Sequence, residues 1–207
     1  MQIAILTFDG FNELDSFIVA GILNRMRPKG WKAHMTCPSE VVTSMNGVTI
    51  RAEQPLEFAS TADAVIIGSG LKTREIVEDV DLLARFQLDP TRQLIGAQCS
   101  GTLLLAKLGL LGDVPACTDQ TTKPWVIEAG VKVLDQAFYA RGHIATAGGC
   151  LASQYLAAWI LLCAGSRDDA EAALHYVAPV GQKQEYVGRA IDSVIDYMSI
   201  ERDAITA

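Results

Sequence analysis

Residues 92–106 read RQLIGAQCSGTLLLA, and this stretch decides the fold. Leu94 to Ala97 is a short apolar run of strand length, and Thr102 to Leu108 is apolar almost all round, as in a helix packed inside a domain. Only residues 99–101 lie between the two. A turn this sharp forces its apex into a sparsely populated backbone region, and such strain clusters at functional sites.

Cys99, at the apex of this turn, has the setting of a nucleophile. The same geometry underlies the Gly-x-Ser-x-Gly nucleophile elbow, here with cysteine in place of serine and with Gly96 three positions ahead instead of two. Gly101 lacks a Cβ and lets the helix approach closely. A thiol at a helix N-terminus also faces unpaired N–H groups, which favours the thiolate. Cysteine is often simply buried, but strand, apex and glycine together favour a functional role.

Length and composition describe a compact globular protein. The chain of 207 residues suits one domain over residues 1–207, because single cores grow to roughly 250 residues before they split. Apolar residues make up 50% and charged residues 20% of the chain, which excludes a disordered protein. The net charge of −7 argues against non-specific binding to the phosphate backbone of nucleic acids.

Cysteine and histidine spacing argues against a zinc site. The five cysteines include no C-x-x-C pair, and the three histidines show no i, i+4 spacing. The first residues carry no basic segment and begin a strand, so we expect no signal peptide. The longest apolar tract, Leu151 to Ala164, falls short of the ~18 residues that span a bilayer. Thiols without an export signal indicate the cytoplasm.

Strands and helices alternate along the chain. The predicted strands cover residues 2–7, 31–37, 64–67, 94–97, 131–134, 138–141 and 144–146. The predicted helices cover residues 14–27, 73–86, 102–109, 122–129, 147–163, 167–177 and 186–199, and Asn46-Gly47 marks a β-hairpin over residues 41–50. This alternation predicts an α/β protein with a mostly parallel sheet, helices on both faces and a small β-hairpin.

The functional site is expected at the carboxyl ends of the strands, where open parallel sheets bind their ligands. Three segments should meet there: the loop from Asp9 to Asp15, the Gly68-Ser69-Gly70 segment and the Cys99 elbow. A cysteine nucleophile needs donors for a developing oxyanion. The N–H groups of Ser100 and Gly70 would face the same point.

Three carboxylates are candidates for the acid partner of the cysteine. Glu13 and Asp15 both lie at the start of the first helix, where Asp15 could instead cap N–H groups. A carboxyl group beside a thiol in an apolar pocket would have a raised pKa and could share or deliver a proton. Asp119 is the third candidate, with a solvated loop position as its alternative. Cys117 and Cys150 also lie in loops that could approach the site, with core packing as their default.

These segments resemble the DJ-1/PfpI superfamily, and most closely its isocyanide (isonitrile) hydratase-like branch. The resemblance covers the chain up to about residue 180. It rests on Phe8-x6-Asp15, Ile66-Ile67-Gly68-Ser69-Gly70, the segment from Cys99 to Leu111, and Thr146-Ala147-Gly148-Gly149. It implies a flavodoxin-like three-layer sandwich, usually a homodimer, with no metal and no organic cofactor.

By position, the resemblance makes Cys99 the nucleophile and Asp15 the acid that hydrogen-bonds it, with Gly70 and Ser100 as oxyanion-hole amides. In the hydratases the thiolate attacks the terminal isocyanide carbon, the acid protonates the intermediate, and water releases an N-substituted formamide. Ser100 stands where protease-like members have histidine, and Asp119 where many relatives have histidine. We therefore expect a cysteine-dependent hydratase or hydrolase of a small molecule. The alternative is a non-catalytic redox sensor in which Cys99 is oxidised.

Overall fold

The computed structural model describes residues 1–198 of the chain. Its strands are β1 (Gln2–Leu6), β2 (Lys32–Cys37), β3 (Val41–Thr43), β4 (Thr49–Arg51), β5 (Gln54–Pro55), β6 (Ala64–Ile67), β7 (Leu94–Gln98), β8 (Phe138–Arg141) and β9 (Ile144–Ala147). Its α-helices are α1 (Glu13–Leu23), α2 (Thr73–Ile76), α3 (Val80–Leu83), α4 (Gly101–Lys107), α5 (Lys123–Glu128), α6 (Ser153–Ala164), α7 (Arg167–Val177) and α8 (Lys183–Met198). Short 3-10 helices cover Asn24–Lys29, Leu56–Ser60 and Cys150–Ala152.

Seven of the strands form one central sheet in the order β5-β2-β1-β6-β7-β9-β8. Neighbouring strands are parallel except for β8, which pairs antiparallel with β9. Strands β3 and β4 pair with each other as a separate hairpin. Every residue of β6 and β7 is buried, as expected of parallel strands covered on both faces. The predicted flavodoxin-like α/β fold with a small hairpin is confirmed.

Successive side chains of the central strands enter two different cores, because side chains alternate between the faces of a sheet. Ile3, Ile5 and Ile66 pack in the core that also contains side chains of α1, α6, α7 and α8. Leu6 and Ile67 enter the opposite core, which contains side chains of α4, α5 and the 3-10 helix at residues 56–60. The sheet is therefore the middle of three layers.

The two edges of the central sheet have different protection. Strand β5 has two residues and ends with Pro55, which has no N–H to donate to a further strand. Strand β8 lies under helix α8, where Tyr197 packs edge-to-face on Phe138 and Tyr139 at ring distances of 5.9 and 5.1 Å. Within residues 1–198, no helix combines the length and the apolar character needed to cross a bilayer.

Two predicted helices are shorter than their sequence patterns indicate. The helix predicted over residues 14–27 ends at Leu23, and Pro28 lies inside the 3-10 helix that follows instead of ending an α-helix. The charged helix predicted over residues 73–86 is split into α2 and α3. Asp79 causes the break, because its side chain accepts a hydrogen bond from the Leu82 N–H and starts a new helix there.

Two further predictions differ from the structure, one for a strand and one for the last helix. The strand predicted over residues 131–134 is only an isolated bridge between Val133 and Ala116. Helix α8 begins at Lys183, three residues before the predicted start, and the predicted last residue, Ser199, lies outside the described residues.

Candidate functional site

Four neighbouring parallel strands end at the same edge of the sheet and bring the candidate residues together. The loop after β1 leads into α1, which carries Asp15, and β6 is followed by Ser69. Strand β7 is followed by Cys99, and β9 is followed by two glycines and then Cys150. The predicted convergence of three segments is confirmed, and the segment after β9 is a fourth.

The backbone holds Cys99 in a strained conformation. Cys99 has a φ angle of 47°, and it is the single non-glycine residue with positive φ among residues 1–198. Such a conformation costs a non-glycine residue about 1–2 kcal/mol. The Cys99 N–H donates to the Ala147 carbonyl at 2.8 Å, and its carbonyl accepts from the Thr118 hydroxyl at 2.8 Å. These two bonds fix the elbow to the neighbouring strand and loop.

Gly101 allows helix α4 to start directly behind the elbow. A Cβ at Gly101 would lie 2.6 Å from the carbonyl oxygen of Ile67 and 2.7 Å from that of Gly68. No side chain fits there without moving the backbone of β6. The glycine predicted to permit close approach therefore does so, and it presses the elbow against the end of the neighbouring strand.

Asp15 lies in the first turn of α1, and its side chain is completely buried. It does not cap the helix, because Asn12 fills that role and accepts from the Leu14 N–H at 3.1 Å. The Ser69 hydroxyl donates to Asp15 Oδ2. Burial raises the pKa of Asp15, and hydrogen bonding from Ser69 and from the Cys150 and Cys99 thiols opposes part of that rise.

A carboxylate oxygen of Asp15 and the sulfur atoms of Cys99 and Cys150 all lie within 4.8 Å of one another. Burial, and then the charge of Asp15, raise the pKa of the Cys99 thiol, while a hydrogen bond from Gln98 Nε2 to Sγ at 3.3 Å lowers it. Desolvation thus outweighs the stabilisation of the thiolate that the helix N-terminus was predicted to give.

Cys150 is the site residue that the sequence argument set aside as a packing residue. It is half-buried, and its sulfur accepts a hydrogen bond from Asn12 Nδ2 at 3.3 Å. Two thiols and a carboxylate are also the donor types that hold a zinc ion. The spacing of cysteines and histidines along the sequence does not indicate this combination, because residues 15, 99 and 150 come from three distant segments. Only the order of strands in the sheet reveals the cluster.

Gly70 and Ser100 lie beside the elbow, but their polar groups bind each other. The Gly70 N–H donates to the Ser100 hydroxyl at 3.1 Å, and Thr73 Oγ1 lies 2.7 Å from the same oxygen. Ser100 also precedes α4, and the first N–H groups of a helix have no partner within it. The Gly70 N–H is therefore engaged in this state, and the start of α4 supplies the more available donor.

The other two candidate carboxylates have structural partners. Glu13 accepts hydrogen bonds from Ser44 and Asn46 of the β3–β4 turn, and these bonds lower the pKa of Glu13. Asp119 Oδ1 accepts from the N–H groups of Thr121 and Thr122 at 2.9 and 3.0 Å, which shapes the turn before α5. Asp119 still acts on the site at a distance, since its charge is a minor cause of the raised pKa of Asp15.

Comparison with known proteins gives a family and a set of structural neighbours. The profile of the DJ-1/PfpI family matches residues 1–161. DJ-1 of Schizosaccharomyces pombe is 19% identical, with a TM-score of 0.74 over 86% of this chain and 100% of its own. A ThiJ/PfpI family protein from Pseudomonas syringae is 19% identical, with a TM-score of 0.73 over 92% of this chain and 89% of its own. Drosophila melanogaster DJ-1beta is 21% identical, with a TM-score of 0.71 over 85% of this chain and 96% of its own. No curated protein matches the sequence.

Proposed function

The chain belongs to the DJ-1/PfpI family, and we propose that it is a cysteine-dependent hydratase or hydrolase of a small neutral molecule, with chemistry like that of the isonitrile hydratases. One observation carries the proposal. A fully buried carboxyl group, Asp15, lies within 4.8 Å of the sulfur of Cys99 at the apex of a strained elbow. A nucleophile and a proton carrier in contact are the minimum for addition to a polarised carbon.

The groups that can accept and donate a proton at the site fit the hydration of an isocyanide. Cys99 starts as a thiol, and Asp15 accepts its proton as the sulfur attacks the terminal carbon. Asp15 then delivers this proton to that carbon, which leaves a thioimidate bound to Cys99. Water adds to the thioimidate carbon, the nitrogen gains a proton, and the C–S bond breaks to give the N-substituted formamide and the thiol. The raised pKa of Asp15 suits a group that must both take and return a proton.

Amide groups at the elbow would stabilise charge that develops on the substrate. The Ser100 N–H at the start of α4 is the first donor, and the Gly70 N–H becomes a second if it exchanges the Ser100 hydroxyl for the substrate. Ser100→Ala should therefore free the Gly70 N–H while keeping the Ser100 N–H. We expect this variant to retain turnover, whereas a role for the hydroxyl itself predicts a loss.

The surroundings of the sulfur favour a small and largely apolar substrate. Cys99 is only 5% exposed, so a bulky or charged substrate would have to open the elbow. Leu14 and Leu151, which adjoin Asp15 and Cys150 in the sequence, are exposed apolar side chains, at 52% and 68%. An alkyl or aryl group on the substrate nitrogen would contact these side chains while the reactive carbon reaches the sulfur.

A panel of alkyl and aryl isocyanides, with formamide production as the readout, tests this function. We expect Cys99→Ser and Asp15→Asn to lose at least about a thousandfold in kcat/KM, because each removes a group that bonds with the reacting atoms. Cys163→Ser is the matched control, since this cysteine lies in a groove with Met1 and Trp31, away from the elbow. Full turnover by Cys99→Ser on a confirmed substrate would refute the proposal.

A redox sensor is the second candidate, and the neighbourhood of Cys99 also supports it. An oxidised Cys99 gains sulfur-bound oxygens, and a protonated Asp15 could donate a hydrogen bond to them. Peroxide titration followed by intact mass separates the candidates. A selective gain of two oxygen atoms at Cys99, without turnover of isocyanides, glyoxals or amides, would favour the sensor.

We also propose that the chain forms a homodimer through the apolar surface beside the site. This surface lies on α1, which contacts the 3-10 helix after β9 and, through Glu13, the turn of the β3–β4 hairpin. Its exposed side chains are Leu14, Phe17, Val41, Met45, Val48 and Leu151. Phe17→Glu should give a monomer in light scattering, whereas Val180→Glu, at a residue that is 92% exposed, should not.

The reduced thiols of Cys37, Cys99 and Cys117 fit a reducing compartment, and we propose the cytoplasm.

A further inference from the structure

We propose that Cys99 and Cys150 form a reversible dithiol–disulfide pair, in which a hydroperoxide oxidises Cys99 and Cys150 then resolves the oxidised sulfur. Their sulfur atoms lie within 4.8 Å of each other, with the Asp15 carboxylate beside both. The inference rests on the reactivity proposed for Cys99 in the previous subsection, and not on the identity of the substrate. It differs from the sensor because the end product is a disulfide and not a sulfinate.

The two cysteines differ in how firmly the backbone holds them. Cys99 is bound on both sides, through Ala147 and Thr118. Cys150 begins a 3-10 helix of three residues and follows Gly149, which has a φ of 89° and no atom within 4 Å of a Cβ position. A disulfide needs its sulfur atoms about 2.05 Å apart. We expect the segment of Cys150, more than the elbow, to move in that approach.

Each sulfur has one amide donor, and one of these amides links the two segments. Gln98 Nε2 donates to Cys99 Sγ at 3.3 Å and also to the carbonyl of Gly149 at 2.7 Å. Asn12 Nδ2 donates to Cys150 Sγ at 3.3 Å. Hydrogen bonds to sulfur favour the thiolate, which is the form that attacks a peroxide or a sulfenic acid. Gln98 is thus a positioning residue that fixes the spacing of the pair.

The chemistry balances with a hydroperoxide as the oxidant and a thiol as the reductant. In the first step Cys99 sulfur attacks the outer peroxide oxygen, the O–O bond breaks, and Cys99 sulfenic acid and an alcohol or water form. In the second step Cys150 sulfur attacks the sulfenic sulfur, its proton passes through Asp15 to the departing hydroxide, and water leaves. The disulfide, which is oxidised by two electrons relative to the two thiols, persists until an external dithiol reduces it.

The other cysteines have no comparable place near the elbow sulfur. Cys37 packs with Phe11 and Val42 in a separate small core. Cys117 is fully buried and packs away from the cluster of Asp15, Cys99 and Cys150. Cys163 lies in the groove with Met1 and Trp31. Among residues 1–198, the cluster with Asp15 and Cys99 includes Cys150 and none of these three.

Peroxide titration of the full chain in a Cys163→Ser background tests the pair. Trypsin then places Cys99 in the peptide of residues 93–107 and Cys150, as its single cysteine, in the peptide of residues 142–167. We expect an intact mass lower by two hydrogen atoms, a cross-linked peptide pair under non-reducing conditions, and full reversal by dithiothreitol. The same peroxide treatment of the Cys150→Ser variant should give at least about tenfold more Cys99 sulfinate, because no thiol intercepts the sulfenic acid.

Alkylation with iodoacetamide separates failure of this inference from failure of the proposed function. If Cys99 is alkylated but peroxide gives the sulfinate equally in both chains, with no cross-linked peptides, Cys150 does not resolve and the inference is wrong. If Cys99 reacts with neither reagent in the native protein, the proposed nucleophile fails and the pair fails with it. Gln98→Ala adds a positioning test, and we expect less disulfide at equal Cys99 alkylation.

Discussion

The glycines near the carboxyl ends of the strands and those inside the outer helices α1 and α8 have opposite surroundings. A Cβ added to Gly70 would lie 2.6 Å from the Gly10 carbonyl oxygen, and one added to Gly101 would lie 2.6 Å from that of Ile67. A Cβ added to Gly21 of α1 or Gly188 of α8 would meet no atom within 4 Å. At the site, backbone packs on backbone, while the helices leave open space.

The difference shows where this fold tolerates change. Close approach of backbones at the end of the sheet is what places Ser69 and Cys99 beside Asp15, and no side chain can relax there to absorb an extra atom. The outer helices are held by side chains, which can repack. Substitutions should therefore have large effects at the site and small or favourable effects on the exposed helix surfaces.

Gly101→Ala should give the largest loss of stability. The new methyl group meets two carbonyl oxygens of β6 and its following loop, so the elbow or β6 must shift. We expect the free energy of unfolding to fall by about 3 kcal/mol, as overpacking against backbone does. Urea unfolding followed by circular dichroism measures it. A change below about 1 kcal/mol would mean that the elbow is more adaptable than the backbone packing indicates.

Cys99→Gly and Cys99→Ala should differ from each other, although both remove the sulfur. Glycine adopts a φ of 47° without steric strain, whereas alanine keeps the strain of the elbow. Glycine also loses more backbone entropy on folding, so we expect the glycine variant to be more stable than the alanine variant by a net of about 1 kcal/mol. Thermal unfolding of the pair provides the measurement. Equal stabilities would show that the positive φ of Cys99 is not a source of strain.

Asp15→Asn should stabilise the protein at neutral and alkaline pH while it abolishes turnover. Burial raises the pKa of Asp15 above its ordinary value of 3.8. The stability that comes from the raised pKa of Asp15 is fully present below the ordinary pKa of 3.8 and is lost as the pH rises through the folded-state pKa. We expect the variant to match the wild type near pH 4 and to exceed it by about 1 kcal/mol at pH 8. Chemical unfolding at a series of pH values is the test, and parallel curves would contradict a raised pKa.

Gly188→Ala should have the smallest effect, and of the opposite sign. Gly188 is a half-buried residue inside α8, with free space for a Cβ. Alanine favours the helix over glycine by up to about 1 kcal/mol, and we expect a gain of about half that value in urea unfolding. A loss would indicate that the surface of α8 contacts something in solution.

Local features of the sequence were sufficient for the elbow and for the parallel sheet. Cys99 could be singled out because the strand, the apex and Gly101 are consecutive in the chain. The residue types and spacing left the choice between Glu13 and Asp15 open, and only the family resemblance favoured Asp15. Both lie in the first turn of α1, and only the rotation of the helix directs Asp15 to Ser69 and Glu13 to the β3–β4 hairpin.

Cys150 required information that no local pattern contains. It joins the site because β9 lies next to β7, an arrangement that depends on how the whole chain is threaded. The break between α2 and α3 had a visible signal in Asp79, whose side chain competes for helix N–H groups, but the charged periodicity of residues 73–86 concealed it. The engaged Gly70 N–H likewise depends on the side-chain contact with Ser100.

The borders of the central sheet bear on the behaviour of concentrated solutions. Pro55 ends one border strand, and the Tyr197 ring of α8 lies over the other, so in residues 1–198 neither flank offers a long flat row of amides to a second molecule. Native molecules should therefore resist growth into cross-β fibrils. Detachment of the last helix, more than loss of the reactive sulfur, is the event that would start such polymerisation.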